Sequence, residues 1–281
     1  MRQINTDDLK RYEQELVETE KSPATIEKYM RDIRIFIRWL ADRPEQEISK
    51  EVVIQYKQYL KEHYKIASIN SMLVALNRYF QYLGWSECCV KGLKAQQQMF
   101  SPESRELKPE EYKKLVETAR QKKKEQLALL IETIAGTGIR ISELIYITAE
   151  AVIQGKAEVS CKGKWRQVYL TKELRKRLMK YCRQREIKSG PVFCSRYGKP
   201  LDRSNIWSAM KKLSKEAGVA PGKVFPHNLR HMFARVYYKK HKDIFYLADI
   251  LGHASVNTTR IYTRTAGENH IRMLERLKLV I

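Results

Sequence analysis

The chain has 281 residues, 43% hydrophobic and 31% charged, which is enough apolar material for real cores and too little bias for a disordered or collagen-like protein. Against 32 acidic residues stand 54 lysines and arginines, a formal net charge of +22 that makes a polyanion the natural partner. No run of about 18 apolar residues occurs, the opening MRQINTDDLK is polar, and the five cysteines form neither a C-x-x-C pair nor a metal-ligand spacing. A spanning helix, a secretory signal, a disulfide framework and a zinc site are therefore disfavoured, and a cytoplasmic protein without a membrane or metal is expected.

The length suits two domains, and the charge is divided unevenly between them. Residues 1–100 carry 16 basic and 14 acidic side chains, whereas residues 101–281 carry 38 and 18, so nearly all the excess lies in the second part. A phosphate backbone would be gripped there.

In chain order, Thr6-Asp7-Asp8 caps a first helix, and Ser22-Pro23 opens a second that runs to about Asp42, with the acceptor at N-cap and proline at N1. On the second helix Ile26, Tyr29, Ile33, Phe36 and Trp39 or Leu40 follow the helical period. Lys28, Arg31, Arg34 and Arg38 share another stripe, which reads either as a DNA-facing surface or as a solvated face. A third helix is expected over about 50–63 and a fourth over about 68–83. Residues 1–97 thus form an all-helical domain, and the polar, unperiodic AQQQMFSPESRELK supplies a linker over 98–107. The second domain, 108–281, opens with a helix at Pro109 and is mainly helical. Its VIQGKAEVSCKGKWRQVYL segment predicts a small antiparallel sheet with hairpin turns at Gly155 and at Lys162-Gly163-Lys164.

Three segments of the basic domain carry candidate chemistry. In the first, two glycines at 136 and 138 break an apolar helix before Arg140 and Glu143, and a guanidinium at such a junction reaches a phosphate without a long tether. The second is Pro226-His227-Asn228-Leu229-Arg230-His231, where i, i+3 and i+4 spacing brings His227, Arg230 and His231 together near a helix N-terminus that favours anions. In the third, Leu251-Gly252-His253 ends one helix and Ser255 caps the next, which bears Tyr262. Arginines, histidines, a hairpin lysine and a tyrosine in one basic domain are the ingredients of metal-free phosphoryl transfer: charge clamps, proton carriers and a nucleophile. Two-metal cutting would need clustered carboxylates, and the acids after Val159 form no tight motif.

These boxes resemble the tyrosine recombinase (phage integrase) family, in its simple two-domain, Xer-like form. TGIRISEL at 137–144 is similar to the family's first arginine box, PHNLRH at 226–231 to its H-x-x-R box, and LGHASVNTTRIYT at 251–263 to its LGH…Y box. The resemblance implies a helical core-binding (SAM-like) domain and a mixed α/β catalytic domain, acting without cofactor. It implies that Tyr262 attacks the scissile phosphate to give a 3′-phosphotyrosine, that Arg140 and Arg230 hold the non-bridging oxygens, and that His227 assists the tyrosine's proton transfer. His253 would hydrogen-bond the phosphate, Glu143 would orient Arg140, and Lys162 would protonate the 5′-oxygen. The hairpin, Cys161-Lys162-Gly163-Lys164-Trp165-Arg166, is one residue shorter than the family's G-K-G-x-K-x-R, so Lys164 rivals Lys162. The partners implied are double-stranded DNA with specific sites and a homotetramer on two such sites, with accessory proteins open. Ile271, Leu274, Leu277 and Val280 make an apolar face that docks either on a neighbouring subunit or on its own domain. Two other functions fit parts of the pattern: a type IB topoisomerase-like relaxing enzyme, and a non-catalytic regulator using 243–264 as a helix-turn-helix.

Overall fold

A computed structural model describes Arg2 and residues 4–43, 47–94, 106–161, 164–195 and 197–262, and of Cys161 and Lys164 the backbone alone. Lys162, the greater part of the 98–107 linker and the apolar C-terminal face at 271–280 lie outside the described residues. The chain is mainly α-helical with one small antiparallel sheet, and it divides at Gln97/Gln98 into two compact units.

The first unit holds α1 (Thr6–Glu18), α2 (Pro23–Ala41), α3 (Lys50–His63) and α4 (Ile66–Tyr82). The cap of α1 is Asn5 rather than Thr6: its side chain accepts from the Asp8 N–H at 2.7 Å while Asp8 accepts from the Asn5 N–H at 3.4 Å. The reciprocal pair satisfies two donors that a lone threonine could not. Ser22 and Pro23 open α2 as expected. Met30, Ile33, Phe36 and Trp39 are buried along it, and the Phe36 ring meets Tyr56 of α3 at 4.9 Å and Phe80 of α4 at 5.8 Å, both edge-on. Such ring pairs add about 0.5–1.5 kcal/mol beyond the area they bury.

Asp32 is also buried on α2, which the apolar period does not anticipate. Lys28 donates to it at 2.7 Å and Arg31 at 3.1 Å, and Lys28 donates as well to the Ser71 carbonyl at 3.1 Å. A buried carboxylate without such partners would be costly, so two cations of the stripe are engaged within the unit. Arg34 and Arg38 are exposed, with no ion-pair partner among the described residues.

The second unit is built around α6 (Glu125–Thr137), which packs against α5 (Pro109–Gln121), α8 (Lys172–Gln184), α9 (Arg203–Glu216) and α10 (Pro226–His241). Leu129, Leu130, Ile131 and Ile134 of α6 are buried in one core with Val159, Val168, Leu178, Leu213 and Leu229. Each such side chain contributes roughly 1.5–3 kcal/mol on leaving water. A 3-10 turn at Ile141–Tyr146 and α7 (Ala149–Gln154) lead into β1 (Lys156–Cys161), which pairs antiparallel with β2 (Lys164–Tyr169) from Lys156↔Tyr169 to Cys161↔Lys164. The sheet is thus a single hairpin. Gly155 is not one of its turns: with φ +80 it is the left-handed cap of α7, and its carbonyl accepts from the Leu170 N–H at 2.9 Å. Gly136 likewise lies inside α6, and the helix stops only at Gly138, whose φ of +66 suits a residue without Cβ. The last elements are α11 (Ile244–Leu251), α12 (Val256–Thr259) and a 3-10 turn at Arg260–Tyr262. No helix of the described residues is long and apolar enough to cross a membrane.

Candidate active site

Four backbone features bring the candidate residues of the second unit together. The left-handed Gly138 turns the chain out of α6 so that Arg140 emerges in extended conformation just before the 3-10 turn. Pro226 starts α10 and sets Arg230 one turn in, on its buried side. Gly252, φ +62, ends α11 and delivers His253. Ser255 accepts from the Asn257 N–H at 3.2 Å, opening the short α12, and the 3-10 turn that follows it ends at Tyr262.

Arg230 is the centre of the arrangement and is 1% exposed. One Nη donates to the Gly138 carbonyl, and the other donates to the Leu251 carbonyl at 2.6 Å and meets His253 Nε2 at 3.0 Å. Because a guanidinium only donates, Nε2 must accept, which puts the imidazole proton on Nδ1. Nδ1 in turn lies 2.8 Å from the Thr259 hydroxyl oxygen. His253 is therefore a neutral ring held at both nitrogens. Its pKa is pushed down to about 4 by burial and then by the charges of Arg230 and Arg140. Burial and the Arg140 charge push Arg230 itself down to about 10, so it stays charged at neutral pH. Its Nε–H, also buried, has no acceptor among the described residues.

Arg140 donates to Glu143 at 2.9 Å through Nη1 and to the Gly252 carbonyl at 3.0 Å through Nη2. Glu143, 1% exposed, also accepts from the Arg140 main-chain N–H at 2.8 Å and from both Nη atoms of Arg166 at 2.9 and 3.0 Å. Burial pushes its carboxyl up, but the hydrogen bonds from Arg166 and the Arg140 main chain outweigh it and hold the group below the ordinary value. Three guanidinium groups thus stand against one carboxylate, an excess of two positive charges. Such an excess of fixed donors suits a phosphate and the further charge of its transition state.

Tyr262 is 4% exposed and sits beside this excess. Burial raises its hydroxyl above the ordinary phenol value, while the positive charges of Arg230, then Arg140 and Arg235, pull it back down. Its ring lies between two imidazoles: His231 edge-on at 5.0 Å and His253 stacked at 6.1 Å. His227 is exposed, and its ring contact among the described residues is with His231 at 4.4 Å. Desolvation, then the charges of Arg230 and Arg140, keep its pKa below the usual imidazole range. His231 is driven lower, to about 3, by burial and by its cationic surroundings.

The structure therefore brings Arg140, Glu143, Arg230, His253 and Tyr262 into one cluster and adds His227 through His231. Lys28, Arg31, Arg34 and Arg38 belong to the other unit, and Lys164 is placed only as backbone at the end of the hairpin. Sequence reasoning passed over Arg166, Thr259 and the position of His231 against the tyrosine. The signal for Arg166 was present in the arginine that closes the hairpin pattern; Thr259 had none beyond its place in the third box. Among the described residues no group of three or more His, Cys, Asp or Glu side chains is disposed to hold a metal ion.

Residues 105–269 match the phage integrase family, and residues 9–87 match the phage integrase N-terminal SAM-like domain. The chain is 32% identical to tyrosine recombinase XerA of Pyrococcus furiosus over 224 residues, 77% of this chain and 76% of that protein. It is 27% identical to tyrosine recombinase XerD of Halalkalibacterium halodurans over 276 residues, 88% and 89% of the two chains. Its fold is similar to that of XerH recombinase bound to its difH substrate, with a TM-score of 0.73 at 22% identity over 98% of this chain and 85% of the other. A lambda integrase dimer on a core site gives 0.73 at 20% identity over 92% and 94%. The chain belongs to the phage integrase family and is a site-specific tyrosine recombinase of Xer type, an enzyme of DNA strand breakage and rejoining.

Proposed function

We propose that Tyr262 is the nucleophile, that Arg140 and Arg230 are its phosphate clamp, and that recombination proceeds through a 3′-phosphotyrosine. The observation that carries this is the buried Tyr262, whose hydroxyl pKa is pulled down by the charge of an Arg230 whose donors are anchored on Gly138, Leu251 and His253. A phosphate beside that hydroxyl meets donors already oriented, so little reorganisation is needed as charge builds. The phenol oxygen attacks phosphorus and its proton passes to a neutral imidazole, for which His227, below its usual pKa and open to solvent, is suited. The P–O5′ bond breaks, and the departing oxygen takes a proton from the hairpin lysine, Lys162 or Lys164. The bond energy stays in the phosphotyrosine, so rejoining by a 5′-hydroxyl needs no ATP. Glu143 orients Arg140, and His253 contributes to the phosphate site.

The partner is double-stranded DNA bearing specific sites, gripped by the basic second unit and by Arg34 and Arg38 of the first, with Lys28, Arg31 and Lys164 as further contacts. Two sites are brought together by a homotetramer, for integration or excision of a mobile element or for resolution of DNA dimers in the cytoplasm. In support, XerH is known bound to difH and lambda integrase as a tetramer on a Holliday junction. The test is a denaturing gel for covalent protein–DNA adducts in EDTA, on nicked duplexes selected by the protein from a random-sequence pool. Wild type should give an adduct at the 3′ side of one phosphate, and Tyr262→Phe should bind equally and give none. An adduct that survives in Tyr262→Phe would overturn the assignment.

A further inference from the structure

We infer that Arg166 is a positioning residue of the phosphate clamp: by sharing Glu143 with Arg140, it fixes the Arg140 guanidinium and keeps its charge free for the scissile phosphate. The inference rests on the recombinase reading above. Arg166 stands on β2, paired with Val159, and its side chain is used on every side. Nη1 and Nη2 donate to the two oxygens of Glu143 at 2.9 and 3.0 Å, and Nε donates to the Ile250 carbonyl at 3.0 Å. Its stem passes so close over Gly252 that a Cβ there would lie 2.7 Å from Arg166 Cδ.

The contacts close a circuit. Arg166 holds Glu143, Glu143 holds Arg140 through its main-chain N–H and Nη1, Arg140 holds the Gly252 carbonyl, and Gly252 lies under Arg166. The β hairpin, the first arginine box and the loop carrying His253 are tied at this one carboxylate. The side chain of Arg166 is 13% exposed against 27% for Arg140, so the two guanidiniums divide the labour: one faces the protein, the other is open to a ligand.

Two physical consequences follow. A carboxylate held by one guanidinium can swing, whereas a two-pronged fork fixes its plane and so fixes what it holds on the other side. Electrostatically, Glu143 alone would neutralise Arg140. With Arg166 present, two positive charges face one negative, and a net positive charge remains for the phosphate. Loss of Arg166 should therefore be felt chiefly where the non-bridging oxygens carry charge.

The experiment uses full-length protein and three versions of the selected nicked duplex, with the scissile link as the ordinary phosphodiester, as a 5′-bridging thiolate, or as an uncharged methylphosphonate. Arg166→Met keeps the stem and removes the charge. It should slow adduct formation on the phosphodiester about 10–100-fold, the usual effect of losing a supporting partner. The deficit should persist on the thiolate, which needs no proton, and shrink at least about tenfold on the methylphosphonate, which needs less positive charge. Arg166→Lys, with charge but no fork, should show the same pattern at smaller amplitude. It serves as the measured variant if Arg166→Met does not fold by circular dichroism.

An equal loss on all three substrates would mean a general structural role and overturn the inference, as would no loss at all. Rescue by the thiolate would assign the effect to the hairpin lysine and overturn it too. A wild-type protein that forms no adduct on any duplex overturns the recombinase chemistry itself, and Arg166 with it.

Discussion

The Arg140 guanidinium donates to the main-chain carbonyl of Gly252 at 3.0 Å, joining residues 112 positions apart. Arg230 makes the matching contact to the carbonyl of Gly138. Each arginine of the clamp is thus anchored on a glycine of a different box. Both glycines have positive φ, and a Cβ on either would collide with a neighbour: Phe233 and Leu251 at Gly138, Arg166 at Gly252. The glycines serve by conformation and by absence, turning a carbonyl toward the arginine while letting side chains pass close.

Gly252→Ala follows directly from this. A left-handed alanine costs about 1 kcal/mol, and the new Cβ must also displace the Arg166 stem from 2.7 Å. The melting temperature should fall by a few degrees, as expected for a loss of that size in a domain of this length. Adduct formation should fall further than stability, because Arg166 and Arg140 move together. Unchanged cleavage in a variant with a lowered melting temperature would separate Gly252 from the clamp.

Arg230→Ala removes the clamp's buried member. The Gly138 and Leu251 carbonyls and His253 Nε2 would lose their donor inside the protein. Leaving buried acceptors unpaired costs about 1–3 kcal/mol for such a group, and losing a transition-state donor costs about 10²–10³ in rate. Thermal unfolding should register the first and single-turnover adduct formation the second. Near-normal adduct rates would remove Arg230 from the site.

Much of this organisation is legible in sequence because the local signals are strong. Ser22-Pro23 predicts the start of α2 and Pro109 that of α5, and the three boxes carry Arg140, Arg230, His253 and Tyr262. What was not legible depends on contacts between distant segments. A buried aspartate such as Asp32 looks like a surface charge until Lys28, Arg31 and the opposing helix are placed around it. Gly155 reads as a turn because helix caps and hairpins both want left-handed residues, and only the hydrogen bond to Leu170 shows that α7 ends there. The hairpin pattern marks Arg166 but not its role, because the partner that defines that role, Glu143, lies 23 residues earlier in the chain.

The imidazoles predict how stability responds to acid. His253 and His231 have native pKa values pushed down to about 4 and about 3, and His227 is lowered as well, all by burial first. In the unfolded chain they titrate near 6.5. Between that pH and about 4 the unfolded chain binds protons that the native protein does not. Stability is therefore fully present above about pH 6.5 and is lost as pH falls. Each strongly shifted ring contributes up to about 1.4 kcal/mol per pH unit within the window. Denaturant melts at pH 7 and pH 5 should show the loss in wild type and a smaller one in His231→Asn/His253→Asn. An identical loss in both proteins would place the acid sensitivity elsewhere.

In the proposed chemistry two hairpin lysines, Lys162 and Lys164, compete to protonate the leaving group. Cys161 and Lys164 form the last pair of the ladder. The family's pattern has one more residue before its arginine, and sequence alignment alone therefore supports either lysine. Chemistry separates them. A 5′-oxygen leaves as an alkoxide and needs a proton, whereas a 5′-thiolate is stable without one, because a thiol is far more acidic than an alcohol. Replacing the true acid should slow cleavage of the ordinary duplex by about 10²–10⁴, the range for general acid catalysis, and should leave the thiolate duplex cleaved at nearly the wild-type rate. Replacing the other lysine should weaken DNA binding or change nothing, and the thiolate should not rescue it. Lys162→Ala is expected to show rescue and Lys164→Ala is not. The reverse result would exchange their roles, and rescue of neither would show that the proton comes from outside the hairpin.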